Sequence, residues 1–217
     1  MSKLAPTLAG RASIAGAAIT LSLSLCLAVP AKAVVFFSDN FNSNVTGLNA
    51  IPNTWTIDNN GGVDLIGNGF YDLGQEFASY GVYVDLDGST NSAGLLTHPI
   101  SLIADQTYTL QFALAGNHRN ANTDNVTVQF GTAARQININ PSAPFATYSL
   151  LFTPTSSGQY SFSFLDAGGD MQGATLDNVI VFTGQPPNVL TPLPLLGIGV
   201  AWNIRRRLRR GQRTRLG

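Results

Sequence analysis

Between Val34 and Gly184, apolar and polar residues alternate in run after run, and no stretch of that segment keeps a helical period. Tyr108, Leu110, Phe112 and Leu114 alternate with Thr109, Gln111 and Ala113. Val126, Val128 and Phe130 repeat the pattern, as do Ile137 with Ile139, Tyr148 with Leu150 and Phe152, and Tyr160 with Phe162 and Phe164. A period of two turns one side of an extended chain to a core and the other to water, so each run predicts a half-buried strand. Gly, Asn, Asp and Pro punctuate the runs at Asp87-Gly88-Ser89, Asn117 to Asp124, Asn140-Pro141-Ser142, Ser157-Gly158 and Gly168-Gly169-Asp170. These residues supply the dihedrals that tight turns demand. Many short strands with no fixed repeat read as a sandwich rather than a solenoid or propeller. The expected fold is all-β, an antiparallel jelly-roll sandwich over residues 34–184, about the size at which one core buries roughly 70% of the unfolded surface.

The two ends obey other rules. Lys3 and Arg11 precede an apolar stretch from Ile14 to Val29 that closes on Ala31-Lys32-Ala33. A basic start, an apolar middle and small residues at A-x-A read as a secretory signal peptide over residues 1–33, cut after Ala33. Cys26 invites a lipoprotein reading, but Leu25 stands where a small residue is required and the cysteine lies inside the apolar region. Without residues 1–33 the chain has no cysteine, so it enters an oxidising compartment without disulfides.

After a linker at 185–191 come Pro192-Leu193-Pro194, an apolar run through Ile204, and an arginine block that opens with Arg205, Arg206 and Arg207. The 16 residues from Val189 to Ile204 would reach only about 24 Å as a helix, short of a bilayer core of roughly 30 Å. Trp202 at an interface and snorkelling arginines make brief retention feasible, with the C-terminus cytoplasmic. This segment, 192–217, resembles the PEP-CTERM sorting signal of bacteria, in which Pro-x-Pro precedes a short hydrophobic helix and a basic end. Leu193 stands where the eponymous motif has Glu; leucine-rich variants resemble cyanobacterial forms. The resemblance implies sorting by an exosortase-type processing enzyme, and the alternative is an uncut single-pass anchor.

With both ends set aside the electrostatics change. All twelve acids lie between Val34 and Gly184 with only Arg119 and Arg135 as bases, a net charge of about −10 against zero for the whole chain. Nucleic acid, whose phosphates need Lys and Arg, is excluded as a partner. Divalent cations, neutral sugars and cationic surfaces remain.

Tyr83 to Gly88, Thr107 to Asn117 and Gly173 to Val181 together resemble the galactose-binding-domain-like jelly rolls of secreted bacterial and plant cell-wall proteins. The resemblance implies a sandwich associated with carbohydrate or wall matrix and implies no reaction. It also implies a structural calcium where the first and last strands meet. Asp177 interrupts an otherwise buried final strand, Ala174 to Phe182, where an acid is costly unless paired or bound to a cation. Asp39 is its expected partner, and two carboxylates with carbonyls and water suffice for calcium. The alternative is that Asp177 faces solvent or caps a turn. Asp85 and Asp87 precede Gly88 with no EF-hand spacing. Alternation sets them opposite Val84 and Leu86, as a solvated face or as a second divalent site.

From Phe70 to Tyr80 the aromatics do not alternate cleanly. Exposed rings stack on sugar faces while carboxylates and amides bond hydroxyls, so Tyr71, Asp72, Gln75, Glu76 and Tyr80 are candidate glycan contacts. Asn117, His118 and Arg119 join them from the other long loop, and ordinary loop packing is the alternative for each. Trp55 reads as core. Asn44-Val45-Thr46 and Asn125-Val126-Thr127 match glycosylation sequons of a length that chance supplies. There is no G-x-S-x-G, no H-E-x-x-H and no phosphate-binding glycine loop, and Glu76 is the only glutamate. The expected activity is non-catalytic association with extracellular polysaccharide. A matrix component without a ligand, or a small glycoside hydrolase using two aspartates, is the alternative.

Overall fold

The computed structural model describes residues 33–184 other than 91, 120 and 121. Ala31, the body of the signal peptide, the linker and the sorting segment with Pro192, Leu193, Pro194 and Arg205 to Arg207 lie outside the described residues.

The chain alternates between two sheets. β1 (Val34–Asp39), β3 (Asp64–Gly67), β4 (Val82–Asp85), β6 (Tyr108–Ala115), β9 (Ala146–Phe152) and β11 (Thr175–Thr183) form one. β2 (Thr56–Ile57), β5 (Leu96–Leu102), β7 (Asp124–Phe130), β8 (Ala133–Ile139) and β10 (Gly158–Asp166) form the other. Their orders are β3-β4-β11-β6-β9, with β1 also on β11, and β2-β5-β10-β7-β8. Every strand pairing is antiparallel. The all-β antiparallel sandwich expected from the alternation is the fold observed.

The inner faces follow from the pattern. Tyr108, Leu110, Phe112 and Leu114 of β6 are buried, as are Val126, Val128 and Phe130 of β7 and Phe162 and Phe164 of β10. Phe112 meets Phe164 across the core edge to face, centroids 5.0 Å apart. Trp55 is buried against Phe37, Phe162 and Phe164, as core. Each such ring removed from water contributes roughly 2–3 kcal/mol. Pro99 within β5 is tolerated because β2 pairs only with Leu96 and Thr97, leaving the rest of that side an open edge.

In β11 the alternation breaks at a bulge. Asp177 opposes Ala113 and Ile180 opposes Gln111, with one extra residue between them and Asn178 at φ 50°. The bulge switches parity, so Leu176 and then Val179 and Val181 all face the core.

Antiparallel pairing sorts the ends. Val34 of β1 pairs with Thr183 of β11, so the domain starts and finishes at one pole. The connections β4–β5, β6–β7, β8–β9 and β10–β11 gather at the other, where Thr175 pairs with both Asp85 and Ala115. Asp85, Asp87, Asp124, Asp166 and Asp170 are at that loop pole, whereas Asp105 follows β5 at the terminal pole.

Candidate functional site

The segment between β3 and β4 does not hang free. Val82 and Val84 face the core, so Tyr83 faces outward, and a second apolar cluster of Ile66, Phe77, Tyr83 and Ala115 builds on that outer surface. Phe77 closes a single 3-10 turn, Gln75–Phe77, and packs on Tyr83 and Phe145. Tyr80 stacks on Phe145 at 4.2 Å, and the Tyr83 hydroxyl accepts from the Leu73 N–H at 3.1 Å. Burial pushes the Tyr83 phenol up from its ordinary range. Three large aromatic contacts thus hold a polar loop against the sheet.

That packing brings part of the expected glycan surface together. The His118 ring meets Phe77 edge to face at 4.9 Å, and its Nδ1 lies 3.5 Å from Glu76 Oε1. His118 Nε2 lies 3.1 Å from the Ala143 carbonyl oxygen. Gln75 and Glu76 are exposed beside it. Tyr71, 58% exposed, stands edge-on to Phe70, and Asp72 Oδ2 accepts from the Gly69 N–H at 2.6 Å. Tyr80 is half-buried under Phe145. Asn117 is buried instead. Its amide donates to Asp124 Oδ2 and the Gln172 carbonyl, while its Oδ1 accepts from the Arg119 N–H, so it braces the loop from within.

Arg119 reaches back to Asp85 Oδ2 at 2.8 Å. A solvated face at Asp85 and Asp87 is overturned, because both are fully buried. Arg119 of the β6–β7 loop and residues 169–173 of the β10–β11 loop close over them, and alternation alone gives no sign of such a cover. Burial drives the Asp85 carboxyl up to about 7 despite Arg119 and the N–H groups of Asp87 and Gly173. Asp87 Oδ2 accepts three consecutive N–H groups, from Gly169, Asp170 and Met171, at 2.9–3.1 Å. Its Oδ1 is buried without a partner.

Asp39 and Asp177 do sit where the first and last strands meet. Asp39 accepts from the Phe41 N–H at 2.7 Å and from the Trp55 indole at 2.9 Å. Asp177, buried rather than solvent-facing, accepts from the backbone and side chain of Asn178 at 2.6 and 3.0 Å. Burial, with Asp39 adding to it, raises Asp177 to about 7. All four oxygens take a protein N–H. Among the described residues no three Asp, Glu, His or Cys side chains converge on one metal-sized point.

Asp124, Asp166 and Asp170 were not legible as functional residues. With Asp87 they line a cavity of about 270 Å³ between the β6–β7 and β10–β11 loops. Burial first, and then Asp166, raises Asp124 to about 7, against the Asn117 hydrogen bond.

No family model and no curated protein matches this chain. Among solved structures it is similar to the CBM22-1 xylan-binding domain of Paenibacillus barcinonensis Xyn10C, at 12% identity and TM-score 0.46 over 71% of this chain and 97% of that one. It is also similar to the K3 cleaved adhesin domain of Lys-gingipain from Porphyromonas gingivalis, at 14% identity and TM-score 0.45 over 69% and 100%. A third is the sugar-binding EclA C-terminal domain, at 14% identity and TM-score 0.35 over 39% of this chain and 64% of that one, less than two thirds of its length.

Proposed function

We propose that this is a secreted, non-catalytic β-sandwich that associates with extracellular polysaccharide through the loop over Tyr83. One observation carries the reading. Phe77 holds the turn that presents Gln75 and Glu76 beside His118, while an exposed aromatic, Tyr71, stands on Phe70 in the same loop and Arg119 is held by Asp85. Rigid support of this kind lowers the ordering cost of binding a hydroxyl-rich ligand, and Tyr71 offers a ring face to a sugar. Val34 beside Thr183 marks the terminal pole, on the far side of the domain from the β6–β7 loop. In this reading the 192–217 segment is handled by an exosortase-type enzyme after brief membrane retention, and the domain works in the envelope or matrix.

A glycan array probed with the purified protein, with and without calcium, tests the binding surface. Retention on a polysaccharide that Tyr71→Ala abolishes supports it; no retention in either condition sinks it, and self-association without a sugar ligand would point to a matrix component. Turnover of a polymer would replace it with a hydrolase. Replacing Arg205, Arg206 and Arg207 with Ala and tracking the secreted and membrane fractions tests the sorting segment separately. An unchanged distribution counts against a sorting role for the arginines.

A further inference from the structure

Another cavity, of about 260 Å³, opens beside β2 where the β1–β2, β2–β3 and β4–β5 connections meet. That is smaller than the roughly 300–1,000 Å³ of drug-sized sites and suits one ring rather than a chain. No residue of the 68–81 loop lines it. Its floor is backbone, because Gly61 and Gly62 carry no side chain. A Cβ at Gly62 would run into Asn49 Oδ1 and lie 3.3 Å from Thr90 Oγ1, so an amide and a hydroxyl converge over one bare patch. The Gly62 N–H donates to the Ser92 carbonyl at 2.9 Å, and its carbonyl accepts from Gly88 and Gly94 at 3.0 and 2.8 Å. These bonds fix the floor in place.

Asn49 is exposed and sits at φ 49°, with its own N–H donating to Asp64 Oδ1 at 2.7 Å. Its side-chain amide bonds to no described residue. Thr90 Oγ1 donates its proton to the Ser92 carbonyl at 3.1 Å and keeps its lone pairs as acceptors. Asn59 is engaged on both sides, with Ala93, Gly61 and Leu95, and braces the rim. The rest of the wall is aliphatic: Ala50, Ile57 and Val63, with Ile51 59% exposed. Among the described residues no charged side chain lines the cavity. Asp64, which holds the Asn49 backbone, is itself buried, and both its oxygens accept from Ser89.

An ion would find no counter-charge here, and a wholly apolar ligand would strand the amide. We propose that this cavity binds one neutral sugar ring, its C–H face against Ile51 and Ile57 and its hydroxyls on the Asn49 amide and Thr90 Oγ1. The site is separate from the loop over Tyr83, and its failure would leave the reading of that loop untouched.

Saturation-transfer NMR on the full-length protein tests it, with the methyl glycosides of glucose, galactose, mannose and xylose at millimolar concentration and methyl glucuronide as the charged control. Transfer to at least one neutral glycoside and none to the glucuronide is expected. Asn49→Gly keeps a residue suited to positive φ and deletes the amide, while Ile51→Asp sets a carboxylate on the exposed wall. Each is expected to weaken binding about tenfold, and Tyr71→Ala to leave it unchanged. Ile51→Asp, at an exposed position, keeps the test decisive where Asn49→Gly fails to fold. No transfer to any neutral glycoside overturns the site, as does equal transfer to the glucuronide. So does binding undiminished in either folded variant, or binding lost in Tyr71→Ala, which would assign the sugar to the loop over Tyr83.

Discussion

Replacing Arg119 with Met keeps most of the aliphatic stem, removes the charge and should destabilise the domain only in alkaline solution. Asp85 is fully buried, bonded to Arg119 at 2.8 Å and to the Gly173 N–H at 2.9 Å, and burial still lifts its carboxyl from 3.8 to about 7. A folded value above the unfolded one means that the favourable contribution is complete below about pH 4 and is lost as pH rises through 7. Over that window the wild type gives up at most about 4 kcal/mol, three pH units at about 1.4 kcal/mol each. Above pH 7 the wild-type carboxyl ionises against Arg119 and the loss levels off. Without the guanidinium it stays neutral to higher pH and the loss continues. The two proteins should therefore match near pH 6 and diverge by roughly 1–2 kcal/mol at pH 8 and roughly 2–3 kcal/mol at pH 9. For a domain of this size the pH 8 difference is a drop of about 3–6 °C in melting temperature. Urea unfolding of both proteins at pH 6, 7, 8 and 9 measures it. An offset that is constant across the series, or absent at pH 9, refutes the argument that burial outweighs the ion pair at Asp85.

Asp177→Asn should act with the opposite sign, because burial and Asp39 raise Asp177 to about 7 and the substitution removes the carboxyl whose ionisation costs stability. Its urea midpoint should exceed the wild type's at pH 8, by an energy of no more than about 4 kcal/mol, with the lead fading by pH 5; equal midpoints at pH 8 would contradict this. Phe77→Ala empties the site between Tyr83, His118 and Phe145 and should cost about 3–4 kcal/mol. Hydrogen exchange should accelerate across residues 68–81 and leave β6 and β10 protected. Uniform acceleration would mean that the loop is not a separate layer on the sheet.

The strands were legible wherever one face meets the core and the other meets water. β6, β7 and β10 satisfy that condition, and Phe112, Val128 and Phe164 are buried as the alternation requires. β4 does not. Its outer surface is roofed at Tyr83 by the Phe77 loop and at Asp85 by Arg119 and the Gly173 segment, and a period of two reads one buried face while staying silent about a second. The meeting of β1 with β11 was anticipated for Asp39 and Asp177, but the N–H groups that bond both carboxylates come from a bulge at Asn178, from Phe41 and from a tryptophan just before β2. Asp87, Asp124 and Asp166 are far apart in sequence and share one cavity because the chain switches sheets between them. Spacing along a chain carries no record of such crossings.

The position of β11 has a mechanical meaning. It lies between β6 on one side and β1 with β4 on the other, and its last paired residue, Thr183, is at the terminal pole. A pull on the chain beyond Thr183 runs along the strand axis and loads the ladders on both flanks together, in shear, instead of opening them one bond at a time as at an edge. Force entering at Thr183 and leaving through the loops after Asp166 would follow a single central strand, Thr175–Thr183. A domain hung from its C-terminal end in flowing or crowded surroundings would thus bear load along its most extensively paired element.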